Sequence, residues 1–96
     1  MKDLKIKFTP EAAKLLTKLH PEIKKMIKAG LKVLQRNPDL GGDLQEELSG
    51  FKSYKIRRYR ILYKIAEEEK IIQIYYLGHR RDVYEQFQML LNSFSS

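Results

Sequence analysis

The segment Leu4-Lys5-Ile6-Lys7-Phe8 alternates apolar and polar with period two, the pattern of a half-buried strand. Thr9-Pro10-Glu11 then reads as a helix entry. Threonine can accept an orphan N–H bond, proline is tolerated at the first helical position, and glutamate suits the positive end of the helix dipole. Ala12, Leu15, Leu16 and Leu19 give this first helix an apolar stripe. His20-Pro21-Glu22 breaks it and starts a second, because the residue before a proline is pushed away from the helical region. In the second helix Ile23, Met26, Ile27, Leu31 and Leu34 recur at helical spacing, and Lys24, Lys25, Lys28 and Lys32 line another face. It is expected to stop near Arg36, where Asn37-Pro38 follows. Asp39 to Asp43, with Gly41-Gly42 and no apolar periodicity beyond Leu40, reads as a loop.

Beyond that loop the period becomes two. Tyr54 and Ile56 alternate with Lys55 and Arg57. Tyr59, Ile61, Tyr63 and Ile65 alternate with Arg60, Leu62 and Lys64, and Ile71 to Leu77 is a β-branched and aromatic run. Three antiparallel strands are predicted, with turns around Arg57 to Tyr59 and at Glu67-Glu68-Glu69, and with Gly78 ending the last. Val83, Phe87, Leu90, Leu91 and Phe94 return to helical spacing, and the stretch from Asn92 to Ser96 is expected to fray. The fold class is α+β: two N-terminal helices packed on one face of a small, mostly antiparallel sheet in the order β-α-α-β-β-β, with a short C-terminal helix. The other face of the sheet is expected to be open to water and basic, with Lys55 and Arg57 emerging together and Arg60 close by if the hairpin register allows.

Length and composition narrow the class. A chain of 96 residues is read as one domain over residues 1–96, since a domain usually takes about 100 to 200. With 43% apolar and 32% charged residues, neither disorder nor a fibrous repeat fits. The absence of cysteine excludes a disulfide scaffold, a thiolate zinc site and a cysteine nucleophile. His20 and His79 lie far apart without carboxylates at ligand spacing, so neither a metal nor another cofactor is expected. No run approaches the roughly 18 apolar residues of a membrane span, and the N-terminus lacks a signal-peptide core. The expected location is cytoplasmic, with no membrane partner.

Charge points to the chemistry. Lys and Arg number 19 against 12 Asp and Glu, a net +7 that favours a polyanionic partner over a small-molecule substrate. Between Gly50 and Lys64 the chain carries Lys52, Lys55, Arg57, Arg58, Arg60 and Lys64 and no acidic residue. Cations crowded on one sheet face repel each other, and a phosphate or acidic partner would offset that repulsion. The bland alternative is a solvated face, as exposed basic strands usually are.

Phe8-Thr9-Pro10-Glu11-Ala12-Ala13, Leu48-Ser49-Gly50, Tyr59-Arg60-Ile61-Leu62-Tyr63 and Gly78-His79-Arg80-Arg81-Asp82-Val83-Tyr84 occur in an order that resembles the RelE/ParE superfamily of toxins from type II toxin–antitoxin modules, over about residues 4 to 85. The resemblance implies the fold described above. It leaves activity divided: RelE-like members cut messenger RNA in the ribosomal A site, whereas ParE-like members inhibit DNA gyrase without catalysis. The RelE-like branch, an endoribonuclease, is favoured. It implies a ribosome and mRNA as partners, together with a cognate antitoxin whose acidic or amphipathic segment folds on binding.

Carried across by motif, the family's cationic set and its tyrosine fall on Lys55, Arg57, Arg60, Arg80 and Tyr84. The hairpin after Lys55 is shorter than in many relatives, so either Arg57 or Arg58 is the second cation. Lys52, Arg58, Lys64 and Arg81 are the candidate RNA-binding residues around that set. RNA cleavage by its own 2′-oxygen needs three things without any metal: removal of the 2′-proton, stabilisation of a pentavalent phosphorane, and protonation of the leaving 5′-oxygen. Lysine serves as a base only where neighbouring cations and desolvation favour its free amine, and Lys55 has Arg57, Arg58 and Arg60 as neighbours. Arg60 would clamp the phosphate, Arg80 would sit near the leaving oxygen, and Tyr84 would stack on or orient a splayed base. His79 is either a proton donor beside Arg80 or a structural histidine. Some relatives employ a glutamate base, but Glu46 and Glu47 stand before the sheet and read as solvated loop residues; the other tyrosines read as packing, and Asp82 as a partner of Arg81 or a helix cap.

Overall fold

Thr9 caps the first helix as its sequence suggests. In the computed structural model, which describes residues 3–95, its Oγ1 accepts the Ala12 N–H at 3.1 Å and Pro10 occupies the first helical turn. Strand β1 (Lys5–Phe8) therefore runs directly into α1 (Pro10–Lys18). His20 caps α2 (Pro21–Arg36) in the same manner, its Nδ1 accepting the Glu22 N–H at 3.2 Å. Two short 3-10 turns, Pro38–Leu40 and Glu46–Leu48, flank β2 (Gly42–Asp43). Then come β3 (Lys52–Ile56), β4 (Tyr59–Ala66), β5 (Ile71–His79) and α3 (Val83–Ser95).

The sheet has the order β1-β5-β4-β3-β2, with β1 parallel to β5 and every other pair antiparallel. The architecture is α+β, as expected, with one strand more than the pattern suggested. Strand β2 lies in the segment read as a loop. It pairs through only Gly42 with Ser53 and Asp43 with Lys52, and both its residues are exposed, so no apolar alternation marks it. Strand β5 runs one residue past Gly78, because His79 still pairs with Tyr59.

The second correction concerns the sheet face opposite α1 and α2, which is not open to water. The core on the α1–α2 side holds Ala12, Ile27, Leu31, Leu34, Ile56, Ile61, Tyr63, Ile72, Ile74 and Leu77. A separate cluster on the other side joins Leu48, Phe51, Leu62 and Tyr76 to Val83 and Phe87 of α3. Leu62, grouped by alternation with the polar Arg60 and Lys64, is completely buried there. Phe87 meets Phe51 edge-on at 4.9 Å and Tyr76 at 5.4 Å. Burying a side chain of this size is worth about 1.5–3 kcal/mol, enough to hold α3 against the sheet. The helix runs through Ser95, with Asn92, Ser93 and Phe94 exposed, while Ser96, the last residue of the stretch expected to fray, lies outside the described residues.

Tyr63 ties the β2 edge to the core. Its buried hydroxyl donates to the Pro38 carbonyl at 2.6 Å and accepts the Gly41 N–H at 3.0 Å. Gly41 must stay small, because a Cβ there would lie 2.5 Å from that hydroxyl. Tyr63→Phe is expected to cost about 1–3 kcal/mol in urea denaturation, since the Gly41 N–H and the Pro38 carbonyl both lose a partner. Burial pushes the Tyr63 phenol above its ordinary value of 10.0. The folded state thus keeps the proton longer than the unfolded chain, and stability falls as pH rises past about 10. Tyr63→Phe should flatten that alkaline decline; an unchanged slope would place its origin elsewhere.

Candidate active site

Alternation along β3 sends Tyr54 and Ile56 to the α1–α2 core and Ser53 and Lys55 to the opposite face. On β4 it sends Ile61 and Tyr63 inward and Arg60, Leu62 and Lys64 to that same opposite face. Register then pairs Lys55 directly with Arg60, and Ser53 with Leu62. Directly opposed residues in an antiparallel pair hold their Cβ atoms about 4.5–5.5 Å apart, so the ammonium and guanidinium stems rise side by side. Helix α3 covers Leu62 and stops short of Lys55, which is exposed. At its start Tyr84, three residues before the anchored Phe87, reaches Ser53: the two hydroxyl oxygens are 2.8 Å apart. Ser53, Lys55, Arg60 and Tyr84 line a cleft of about 520 Å³, completed by Leu40, Asp43, Leu44 and the β2 edge.

The two-residue hairpin turn organises the arginines. Arg57 adopts φ 54°, in the left-handed region, and so leaves the strand; it does not emerge beside Lys55 on the face as alternation implied. Its carbonyl instead accepts Arg60 Nη1 at 3.0 Å, and the Tyr59 carbonyl accepts the same nitrogen at 2.9 Å. The guanidinium is held by one nitrogen, with the remaining N–H groups available to a ligand. The next carbonyl in the turn, that of Arg58, accepts the Arg80 N–H at 2.6 Å and so fastens the end of β5 to the hairpin.

The other sequence candidates lie outside the cleft lining. Arg57, Arg58, Arg80 and Arg81 are exposed at the hairpin turn and after β5. His79 packs edge-on against Tyr59 at 5.8 Å, and its Nδ1 accepts the Arg81 N–H at 3.1 Å, the bonding of a turn-forming residue. Lys64 sits 4.3 Å over the Phe51 ring and 5.9 Å from that of Tyr75. Lys52 forms a salt bridge of 3.0 Å with Asp43, and this hydrogen bond holds its ammonium above the ordinary 10.5. The pair also counters the one carboxylate in the cleft lining. Asp82 stands just before α3 and its Oδ2 accepts from the Gln86 side chain at 3.3 Å, whereas no salt bridge to Arg81 forms among the described residues. Glu46 and Glu47 are exposed.

Ser53 is the cleft residue that the sequence did not disclose. A lone serine in a strand has no motif, and its partner is 31 positions away. A second hollow of about 430 Å³ lies among Asp3, Arg36, Asp39, Glu67 and Lys70. Its mixed charges give no preference for an anion, in contrast to the Lys55–Arg60 pair. Among the described residues no group of three His, Asp or Glu side chains is placed to hold a metal ion, and no helix is long and apolar enough to cross a membrane.

Comparison with known proteins places the chain in a family. The family model described as the ParE toxin of the type II toxin–antitoxin system parDE matches residues 6–84. Toxin RelG of Mycobacterium tuberculosis is 34% identical over 83 residues, spanning 84% of this chain and 95% of RelG. Among solved structures, the RelBE2 toxin–antitoxin complex of M. tuberculosis contains a chain that is similar at a TM-score of 0.75 and 32% identity, covering 82% of this chain and all (100%) of that one. The fold is also that of a free mutant form of E. coli toxin RelE, at a TM-score of 0.75 and 16% identity over 95% of this chain and 98% of RelE.

Proposed function

This chain belongs to the RelE/ParE superfamily of type II toxin–antitoxin toxins, and we propose that it is a ribosome-dependent endoribonuclease that cuts mRNA in the A site. The observation that carries the reading is the direct pairing of Lys55 with Arg60 on the floor of a cleft that also presents hydroxyl groups. Lys55, as its free amine, accepts the proton of the 2′-OH; the 2′-oxygen bonds to phosphorus as the P–O5′ bond breaks, and the leaving 5′-oxygen takes a proton from solvent water. The products are a 2′,3′-cyclic phosphate and a 5′-hydroxyl, and no step requires a metal. Arg60 offers N–H donors to the phosphorane oxygens, whose charge grows in the transition state. The action takes place in the cytoplasm.

Primer extension on a translation reaction containing the purified protein tests this directly. Breaks at A-site codons are expected, and intact message at every codon would remove the enzyme reading. The matching family model is the ParE one, which supports a second reading as a noncatalytic gyrase inhibitor. Inhibition of DNA supercoiling with intact message would select it.

Arg80 supplies a further test. It follows the β5 residue His79 and is exposed, with its backbone pinned to the hairpin at Arg58. A guanidinium there can stabilise charge on the leaving oxygen once RNA is bound. Arg80→Ala is expected to slow cleavage by about 100-fold, the scale of losing one such donor. Stability should move by no more than about 0.5 kcal/mol. Arg81→Ala is the milder control.

A cognate antitoxin is the expected partner. The chain that matches in the M. tuberculosis toxin–antitoxin complex supports this, as do the net +7 and the exposed Val33, Leu40, Met89 and Phe94. An amphipathic acidic segment would cover the apolar side chains and block the cleft. Co-expression with the neighbouring reading frame should restore growth and yield a complex; failure of both would count against it.

A further inference from the structure

We propose that Ser53 is a positioning residue that aims the Tyr84 hydroxyl, so that the Ser53–Tyr84 pair donates one hydrogen bond to the RNA phosphate beside Lys55. The proposal rests on reading the cleft as the site of RNA cleavage. Ser53 and Lys55 are two apart on β3 and share its outer face, and Tyr84 projects from the first turn of α3. The two hydroxyl oxygens stand 2.8 Å apart, and both residues line the cleft with Arg60.

The chemistry follows from counting protons. Two hydroxyls that share one hydrogen bond use one of their two O–H groups. In the proposed arrangement Ser53 donates to the Tyr84 oxygen, and the Tyr84 O–H is free. That leaves one neutral donor in a cleft whose other side-chain donors, Lys55 and Arg60, are cationic. A non-bridging phosphate oxygen, which gains charge as the 2′-oxygen attacks, is the acceptor suited to it. This differs from Tyr84 serving as a stacking platform, because its ring packs against the cluster around Phe87 and its polar end is the part held toward Ser53. Without Ser53 the phenol has no side-chain anchor on β3, and the donor loses its aim even though the ring stays packed. Small misplacements of this kind cost rate more than binding.

The test is single-turnover cleavage of mRNA on programmed ribosomes at saturating protein, read as rate and as half-saturating ribosome concentration. Ser53→Ala and Ser53→Val should each slow cleavage about 10-fold, the equivalent of about 1.4 kcal/mol, with half-saturation unchanged. Ser53→Thr, which keeps the Oγ and matches valine in shape, should stay within about twofold of wild type. Tyr84→Phe should be at least as slow as Ser53→Ala, and the double variant no slower than Tyr84→Phe alone, because both remove one device. Thermal melting by circular dichroism identifies any variant that fails to fold, and the valine and threonine pair keeps the comparison intact if alanine does not fold. Wild-type cleavage with Ser53→Val at the wild-type rate would overturn the proposal alone, as would single effects that multiply in the double variant. Wild-type protein that leaves the message whole would overturn the cleavage reading and this proposal with it.

Discussion

Lys55→Ala is expected to slow A-site cleavage about a thousandfold while leaving the fold intact. A positioned general base contributes about 10²- to 10⁴-fold, and a thousandfold corresponds to about 4 kcal/mol of activation free energy. Lys55 is exposed and accepts no structural duty in a salt bridge or hydrogen bond among the described residues, so the expected stability change is within about 0.5 kcal/mol. Lys55→Arg distinguishes base from charge. Arginine preserves the positive end beside Arg60 yet does not give up its proton in proteins, so it cannot return the rate if the amine acts as base. Rapid-quench measurement of both variants on programmed ribosomes decides the matter. Cleavage within a few-fold of wild type in Lys55→Ala would exclude the role, and full rescue by Lys55→Arg would reduce it to electrostatics.

Arg60→Ala is expected to lose between about 100- and 1000-fold, the range for deleting one preorganised donor to a developing oxyanion. What makes Arg60 preorganised is visible in the hairpin. The Arg57 and Tyr59 carbonyls hold Nη1, which restricts the side chain and leaves the other N–H groups available to a ligand. Arg60→Lys should recover only part of the loss, because an ammonium that takes over the two carbonyl contacts has one N–H left and no planar fork to offer the phosphate. The Arg57 carbonyl lies near solvent and can bond to water instead, while the Tyr59 carbonyl is half-buried, so the stability cost of either change is held to about 1 kcal/mol. Cleavage rate, ribosome affinity and the urea midpoint should be measured on the same preparations. A parallel fall in all three would make Arg60 a folding residue, and an unchanged rate would take it out of the mechanism.

Much of this molecule is legible along the chain because its signals are local. The Thr9 cap and the prolines that open each helix, Pro10 and Pro21, place both N-terminal helices, since these signals act within two or three residues; that His20 caps the second helix emerges only in the structure. Alternation through Tyr54, Ile61 and Tyr63, and the β-branched and aromatic run from Ile71 to Leu77, place three strands, since both signals belong to one strand at a time. The cationic window and the absence of acidic residues within it point to an anion partner, since charge needs no fold to be counted.

Non-local packing decided the rest. Period-two alternation states which residues share a face, but not what covers that face. Phe87 and Val83 of α3 had to meet Leu62 and Phe51 before an apparently open, basic surface became a second core with a cleft at its margin. The β2 pairing depends on Gly42 and Asp43 finding β3, which no pattern in two residues encodes. Arg57 has the charge of a site residue, yet the tight turn gives it a positive φ and turns its backbone into a clamp for Arg60. Ser53 has no local mark at all; its place beside Tyr84 arises only when β3 and the first turn of α3 are brought together across the sheet. Residue type and period determine elements and chemistry within a few positions of each other, whereas register, covering helices and turn geometry select which of those groups share a single cleft.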